Sequence, residues 1–400
     1  MNDTITGIAP MPSVRPADAR FSSGPCKKHP GWSLSNLSTD HLGRSHRASG
    51  PKAQLKSAID RSASLLGLPE DWVLGIVPGS DTGAFEMAMW SLLGTRDVDA
   101  FVWESFSADW ATDLNALDLP ALTVHNADYG ALPDLTAYNA DNDTVFVFNG
   151  TTSGVRVPNL DWVSKDRNGL VLCDATSAAY AMPIDYEKLD VLTWSWQKIL
   201  GGEAAHGMLA LSPRAVARLE SAEAPRALPK LFKLTKKQAL IGGIFTGATI
   251  NTPSMLAVAD LHSALDWADS IGGLQALHER SAQNFEAMNQ WVSSTPWIDW
   301  LAEDENTRSS TSMCLKIVSA HFQALSIEEQ QAAVKTMEGW LAEEGVAFDI
   351  AHYRSAPPGF RVWGGATIDS SDVDALTHWL NWAYTRFNTT VLKIEELQHG

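Results

Sequence analysis

Short apolar runs alternate with amphipathic stretches from about residue 51 onward. The runs lie at 72–77, 100–103, 122–125, 144–148, 170–173, 191–194 and 208–211, and each reads as a buried strand. Between them, 51–66, 82–93, 107–117, 162–168 and 213–221 carry helical spacing. Strand and helix in alternation predict an α/β fold with a mostly parallel sheet, helices on both faces. Such sheets set ligand-binding groups at the carboxyl ends of their strands. Residues 253–296 predict two long helices broken at Gly272-Gly273, the first opening on Thr252 as N-cap and Pro253 at N1. Past about 297 the pattern changes. A strand at 313–318, a helix over 326–344, a short strand at 347–350, a loop over 352–360, a strand at 361–363 and a last helix over 371–386 predict a smaller α+β unit. The expected division is an extended arm over 1–20, a large domain over 21–270 and a small domain over 271–400.

Charge and composition narrow the function classes. With 30 basic against 47 acidic residues, the net charge is −17. That field speaks against non-specific nucleic-acid binding, so no nucleic-acid partner is expected. It also demands a local cluster of Arg and Lys if the substrates are anions. Cys26, Cys173 and Cys314 lie far apart with no CxxC or Cys/His metal spacing, which fits a reducing compartment and no metal site. The first twenty residues lack the apolar core of a secretory signal. No apolar run approaches the ~18 residues that span a bilayer. A cytoplasmic protein without a membrane partner is expected. The 16 tryptophans read as core and interface packing.

Two residues carry the chemistry. Asp174 directly follows the apolar run 169–173 and opens a small-residue stretch. An acid there faces the crevice at a strand end, or else caps a helix. Lys198 follows the run 191–194 and precedes Gly201-Gly202. Burial beside Trp196 would lower its pKa and make it a better nucleophile than a solvated lysine. Together they fit pyridoxal 5'-phosphate, which needs a lysine amine and an acid on its pyridinium nitrogen. The turn 77–84 joins a strand to a helix, with Gly79 and Gly83 to let backbone approach an anion and Ser80 and Thr82 to bind it. An ordinary βα turn has the same outline. The chain has no Gly-Lys pair, so the turn is not a Walker A loop.

Phe21-Ser22-Ser23-Gly24-Pro25, Ser45-His46-Arg47, Asn149-Gly150-Thr151, Asp174-Ala175-Thr176-Ser177, Ser195-Trp196-Gln197-Lys198 and Asn251-Thr252-Pro253 resemble, in order and spacing, the phosphoserine aminotransferase family. That family belongs to the class V, fold type I pyridoxal phosphate enzymes. The resemblance runs from about 19 to 385. It implies that Lys198 holds the cofactor as a Schiff base and shuttles a proton between the substrate Cα and the cofactor. Asp174 would keep the ring nitrogen protonated. Thr151 would reach the phenolic oxygen, and Gln197 the phosphate. Trp103 matches the ring-stacking aromatic, with Phe106 as a competitor. Asn251 and Thr252 would complete the phosphate cup from the other subunit of a homodimer.

Substrate recognition would fall to Arg361 for the α-carboxylate. Arg47, His46 and Arg354, with His352 assisting, would take a distal phosphate or the γ-carboxylate of glutamate, since the guanidinium fork fits both anions. The basic run Lys230, Lys233, Lys236, Lys237 reads as a solvated face, or as a device that steers anions. The chain departs from other branches where Ser80-Asp81-Thr82 replaces a Gly-Gly-Arg type of cup. An acid such as Asp81 is unwelcome beside a phosphate unless its side chain points away. The loop 353–360 also differs in length. The resemblance implies transfer of an amino group between L-glutamate and 3-phosphohydroxypyruvate, in serine biosynthesis and also in making pyridoxal phosphate. An alanine– or serine–glyoxylate aminotransferase is the rival within the class. A non-catalytic nucleotide-binding α/β protein is the rival outside it.

Overall fold

The computed structural model describes residues 10–221 and 226–399, with side chains through Thr389. In chain order the strands are β1 (Val73–Pro78), β2 (Val98–Val102), β3 (Leu122–Asn126), β4 (Asp143–Val147), β5 (Asn149–Gly150), β6 (Val155–Arg156) and β7 (Val171–Asp174). They continue as β8 (Val191–Ser195), β9 (His206–Leu211), β10 (Thr235–Lys236), β11 (Ala239–Leu240), β12 (Ile298–Trp300), β13 (Ser312–Ile317) and β14 (Gly359–Trp363). The helices are α1 (Ser49–Leu66), α2 (Ser80–Leu92), α3 (Ser105–Ala116), α4 (Pro213–Ser221), α5 (Met255–Ile271), α6 (Gly273–Ser294), α7 (Ala320–Gln323), α8 (Ile327–Glu343) and α9 (Ser370–His399).

The main sheet has the order β1-β9-β8-β7-β4-β2-β3. Strands β3, β2, β4, β7 and β8 pair in parallel. Strand β9 runs antiparallel to both β8 and β1, a reversal that periodicity does not reveal. Strands β2, β4, β7, β8 and β9 are buried along their whole length, which is why they read as unbroken apolar runs. Edge strand β3 is half-exposed. A second, antiparallel sheet has the order β12-β13-β14. Strands β5–β6 and β10–β11 form two-residue ribbons. Among the described residues, no helix is long and apolar enough to cross a membrane.

Several expectations need correction. Residues 162–168 form turns, not a helix. Asn159 Oδ1 accepts from Asp161 N at 2.9 Å and Ser164 Oγ from Asp166 N at 3.1 Å, so local side-chain bonds displace the helical ones. Trp162 instead fills the space against Phe101, Tyr138 and Phe146. Residues 347–350 make an isolated bridge between Phe348 and Arg20, because Asp349 sits at φ +58° and breaks the extension. Helix α5 starts at Met255 with Ser254 as N-cap, its hydroxyl accepting from Ala257 N at 3.2 Å, so Thr252 and Pro253 stay outside it. Helix α9 runs past 386 to His399, and strand β12 carried no signal that was read.

The described part of the arm packs on the small sheet. Phe348 N donates to Ala19 O at 2.9 Å and Trp363 N to Phe21 O at 2.9 Å, and Phe21 is fully buried. Five tryptophans, Trp103, Trp194, Trp196, Trp363 and Trp379, are among the largest fully buried side chains, the packing role their number suggests.

His206 opens β9 opposite Pro78. Its ring lies 4.6 Å from that of Trp196, and its Nε2 accepts from Ser254 N at 3.2 Å. Burial pushes its pKa down to about 4, so the folded ring is neutral, as an acceptor must be. The unfolded chain therefore binds the extra proton between pH 6.5 and about 4, and stability falls as pH drops through that window. Denaturant titrations at pH 7, 5 and 4 are expected to show the wild type losing up to roughly 3 kcal/mol by this route. His206→Gln should lack that increment of loss; equal pH dependence in both proteins would refute it.

Candidate active site

Six strands end, and β9 begins, along one edge of the main sheet. Asp174 is the last residue of β7, in register with Thr193 on β8. Lys198 follows β8 by a tight turn. The two reach one cavity of about 200 Å³ from adjacent parallel strands, as a sheet edge of this kind allows. After β1 come Ser80, Asp81 and Thr82; after β2, Glu104, Phe106 and Trp110; after β4, Asn149 and Thr151; all line the same cavity.

Close backbone approach fixes the turns. Gly79 has φ +88°, and a Cβ on Gly83 would sit 2.1 Å from Pro78 O. That turn presents Ser80 at the start of α2, where Gln197 Nε2 donates to Ser80 Oγ at 3.0 Å. Lys198 is wrapped by the segment after the arm. Its Nζ donates to Ser23 O, and Cys26 N donates to Gln197 O at 3.0 Å. A Cβ on Gly201 would meet Lys27 O at 2.3 Å, so the Gly pair lets two chain segments touch.

The electrostatics follow from burial. Asp174 accepts from Trp110 Nε1 at 3.0 Å on one oxygen and from Thr176 N at 2.9 Å on the other. Asp81, fully enclosed, faces Asp174, Thr176 and Thr193. Burial and then the Asp174 charge raise its pKa well above the ordinary carboxylate range, which favours a neutral acid. Burial raises Glu104 to about 7. Glu104 accepts from Ser107 N at 2.7 Å, capping α3, and from Thr152 Oγ1 at 2.7 Å. Burial lowers the Lys198 pKa, Arg361 lowers it further, and Asp174 and Asp81 oppose the shift.

These residues fit pyridoxal phosphate. The cavity wall holds buried polar atoms without partners: Asn149 Oδ1, Ser195 Oγ and Gln197 Oε1. A polar ring with a phosphate would engage such atoms, whereas water-sized gaps alone would leave them costly. A lysine amine, a facing carboxylate and a Gly-rich turn at a helix start complete the donor set. Among the described residues, no cluster of His, Cys, Asp or Glu could hold a metal.

Of the residues read from the sequence, Ser80, Asp81, Thr82, Thr151, Asp174, Gln197 and Lys198 line the cavity. Asp81 points into the floor toward Asp174 rather than out of the cup. Arg361, on β14, is close enough for its charge to act on Lys198, and it lies 5.5 Å over the Tyr353 ring. Arg361 also acts on His352, and both keep a buried nitrogen without partner. Trp103 does not line the cavity. Its indole donates to Val155 O at 3.0 Å and packs against Gly150, while Phe106 takes the lining position. Arg354, Asn251 and Thr252 are exposed, and none of them lines this chain's cavity. His46 is partly buried and also absent from it, and Arg47 lines a different cavity with Lys230, Lys233 and Lys236. Sequence reading missed Trp110, Glu104 and Thr176. Phe106 and Trp110 are four apart on one helix, a spacing that puts both on one face and could have revealed the pair.

Comparison with known proteins agrees with this geometry. Residues 144–342 match the family pattern of class-V aminotransferases. The chain is 53% identical to the phosphoserine aminotransferase of Methanosarcina mazei over 374 residues, 93% of this chain and 98% of that one. Its fold resembles the phosphoserine aminotransferase of Bacillus circulans subsp. alkalophilus, at TM-score 0.75 and 17% identity over 92% of this chain and 99% of that one. It resembles the alanine–glyoxylate aminotransferase of Nostoc sp. about as well, at TM-score 0.74 and 17% identity over 96% and 99%. The fold alone therefore does not separate the two activities; the sequence likeness does. The chain belongs to the phosphoserine aminotransferase family of class-V aminotransferases.

Proposed function

We propose that this chain is a pyridoxal phosphate-dependent phosphoserine aminotransferase. It transfers an amino group between L-glutamate and 3-phosphohydroxypyruvate, giving 2-oxoglutarate and O-phospho-L-serine. The observation that carries the reading is Lys198 and Asp174 in one buried cavity, in a chain 53% identical to a phosphoserine aminotransferase over nearly its whole length. The place is serine biosynthesis in the cytoplasm, with a second use in making the cofactor from a related phosphorylated substrate. The division into an arm (1–20), a large cofactor domain (21–270) and a small domain (271–400) accords with a main sheet confined to 73–211 and a small sheet confined to 298–363.

When bound, pyridoxal 5'-phosphate supplies an electron sink for the negative charge that forms at the substrate Cα. Lys198 would hold the cofactor and, once released by the incoming amino group, would take the Cα proton on Nζ and deliver it to the cofactor. Its lowered pKa favours the free amine that this task needs. Asp174 would hold the protonated ring nitrogen, with Trp110 and the Thr176 amide fixing both carboxylate oxygens. Asp81, kept neutral, supports Asp174 from below without adding a second negative charge. Ser80, Thr82 and Gln197 bind the phosphate with the free amides at the start of α2. Thr151 serves the phenolic oxygen, and Phe106 rather than Trp103 covers the ring. Arg361 binds the α-carboxylate, and His352 and Arg354 extend that grip. His46, Arg47, Asn251 and Thr252 act across a homodimer interface on the partner's cavity. None of them lines the cavity of its own chain, which favours that arrangement.

Purified protein with O-phospho-L-serine and 2-oxoglutarate is expected to turn over with parallel initial-rate plots. Lys198→Ala should abolish both turnover and the visible cofactor band. No turnover with phosphoserine, but reaction of alanine or serine with glyoxylate, would shift the assignment to the rival activity. Asp174→Asn should lower kcat by roughly a hundredfold or more. Asp81→Asn, which mimics the neutral acid, should cost under about tenfold; a loss as large as that of Asp174→Asn would show that Asp81 works as a carboxylate. Mixing Lys198→Ala with the double variant Asn251→Ala, Thr252→Ala should regain activity through heterodimers carrying one intact site. No regain after subunit exchange would put both segments in the same chain's site.

A further inference from the structure

Away from the Lys198 cavity, Arg47, Lys230, Lys233 and Lys236 line a second cavity of about 390 Å³, together with Thr249 and Ile250. Among the described residues, none of the four cations has an ion-pair partner. Elsewhere in the chain a number of cations do find an acid. Lys27, Lys28, Arg61, Arg167 and Arg218 are each ion-paired, as expected where acids outnumber bases 47 to 30. All four are exposed to solvent, and an anion entering the hollow that they line would relieve their mutual repulsion.

The backbone beneath is held in place. Leu234 is buried, Phe232 O accepts from Ser91 Oγ at 2.8 Å, and Ile241 N donates to Leu234 O at 2.8 Å. Leu240 N donates to Glu220 Oε1 at 2.9 Å, which occupies that carboxylate with the ribbon backbone. The ribbon turns through Lys237 and Gln238, both left-handed at φ +52° and +58°, where Asn-Gly is the usual choice. The anchored apolar side chains face inward and the lysines face the cavity.

We propose that these side chains form a receiving basin for phosphate-bearing dianions, which concentrates the phosphorylated substrate at the mouth of the partner's active site. The proposal rests on the reading above, in which Asn251 and Thr252 close the partner's phosphate cup. Thr249 and Ile250 line the basin, and the chain runs directly from them into those two residues. The basin also answers the problem set by the −17 charge, since a substrate dianion is repelled by the whole and drawn only by a local positive field.

The test uses the holoenzyme and the triple variant Lys230→Gln, Lys233→Gln, Lys236→Gln. At low ionic strength the variant's kcat/KM for phosphoserine should fall about tenfold, mainly through KM, and the gap should close as salt rises toward ~1 M. An unchanged kcat/KM with an unchanged salt slope overturns the proposal. If the triple variant misfolds, Lys233→Gln alone should still show a smaller, salt-screened loss. A second readout does not depend on turnover. Inorganic phosphate, compared with chloride at equal ionic strength, should slow acetylation of Lys230, Lys233 and Lys236 in the wild-type protein. Protection in a protein that does not turn over phosphoserine would keep the basin and discard the aminotransferase reading; no protection would discard the basin.

Discussion

One buried amine among three buried carboxyl groups sets the terms for the rest of this structure. Among the described residues Lys198 is the single cation lining its cavity, and Asp81, Glu104 and Asp174 share that wall. Full ionisation of all four would leave excess negative charge out of water, at a cost far above the stability of a domain. The molecule avoids this by proton placement and by donors. Asp81 and Glu104 move upward in pKa, and Trp110 and the Thr176 amide serve Asp174. Both devices work only where water is kept out. The sheet edge, the Gly79–Gly83 turn and the segment after the arm build that enclosure, and each depends on backbone passing within reach of backbone.

The same imbalance explains why the cavity suits a protonated pyridine ring. With Lys198 shifted toward the free amine, Asp174 lacks a cation, and a protonated ring nitrogen placed against it would restore the balance. The arrangement also resolves the difficulty with an acid in the phosphate turn. Asp81 belongs to the turn by sequence but to the Asp174 side of the cavity by geometry, because the first turn of α2 directs its side chain toward β7 and β8. Ser80 and Thr82, on either side of it, line the cavity and would remain for a phosphate under the proposed reading.

How much of this was legible depended on the range of the forces involved. Strands buried on both faces announce themselves as apolar runs, and the seven runs of the sequence fall within about two residues of the main-sheet strands, the half-exposed β3 included. Lys198 and Asp174 stood out because each ends such a run. The turn 162–168 defies its sequence pattern because its apolar positions mimic helical spacing while Asn159 and Ser164 tie the backbone locally. Trp110 and Glu104 were missed because their partners, Asp174 and Thr152, lie 64 and 48 residues away. Trp103 was preferred to Phe106 by family resemblance, and only the packing of its indole against Gly150 and Val155 separates wall from lining. The antiparallel direction of β9 had no local signal at all.

That reversed strand is also what ties the site's parts together. Because β9 runs against its neighbours, it begins where they end, and its first residues enter the active edge. Ala205, at φ +111°, turns its carbonyl to accept from both Gly79 N and Ser80 N, at 3.2 and 3.4 Å. His206, next in line, packs its ring against Trp196 two residues before Lys198 and accepts from Ser254 N, two residues after Thr252. A parallel strand would have put a loop end far from all three. A non-glycine residue held at so costly a backbone angle persists only where the surroundings over-determine it. Here three converge: the phosphate turn, the lysine turn and the segment that leads from the basic basin. The strain at Ala205 is thus the local cost of joining the cofactor-holding half of the site to the half presented outward.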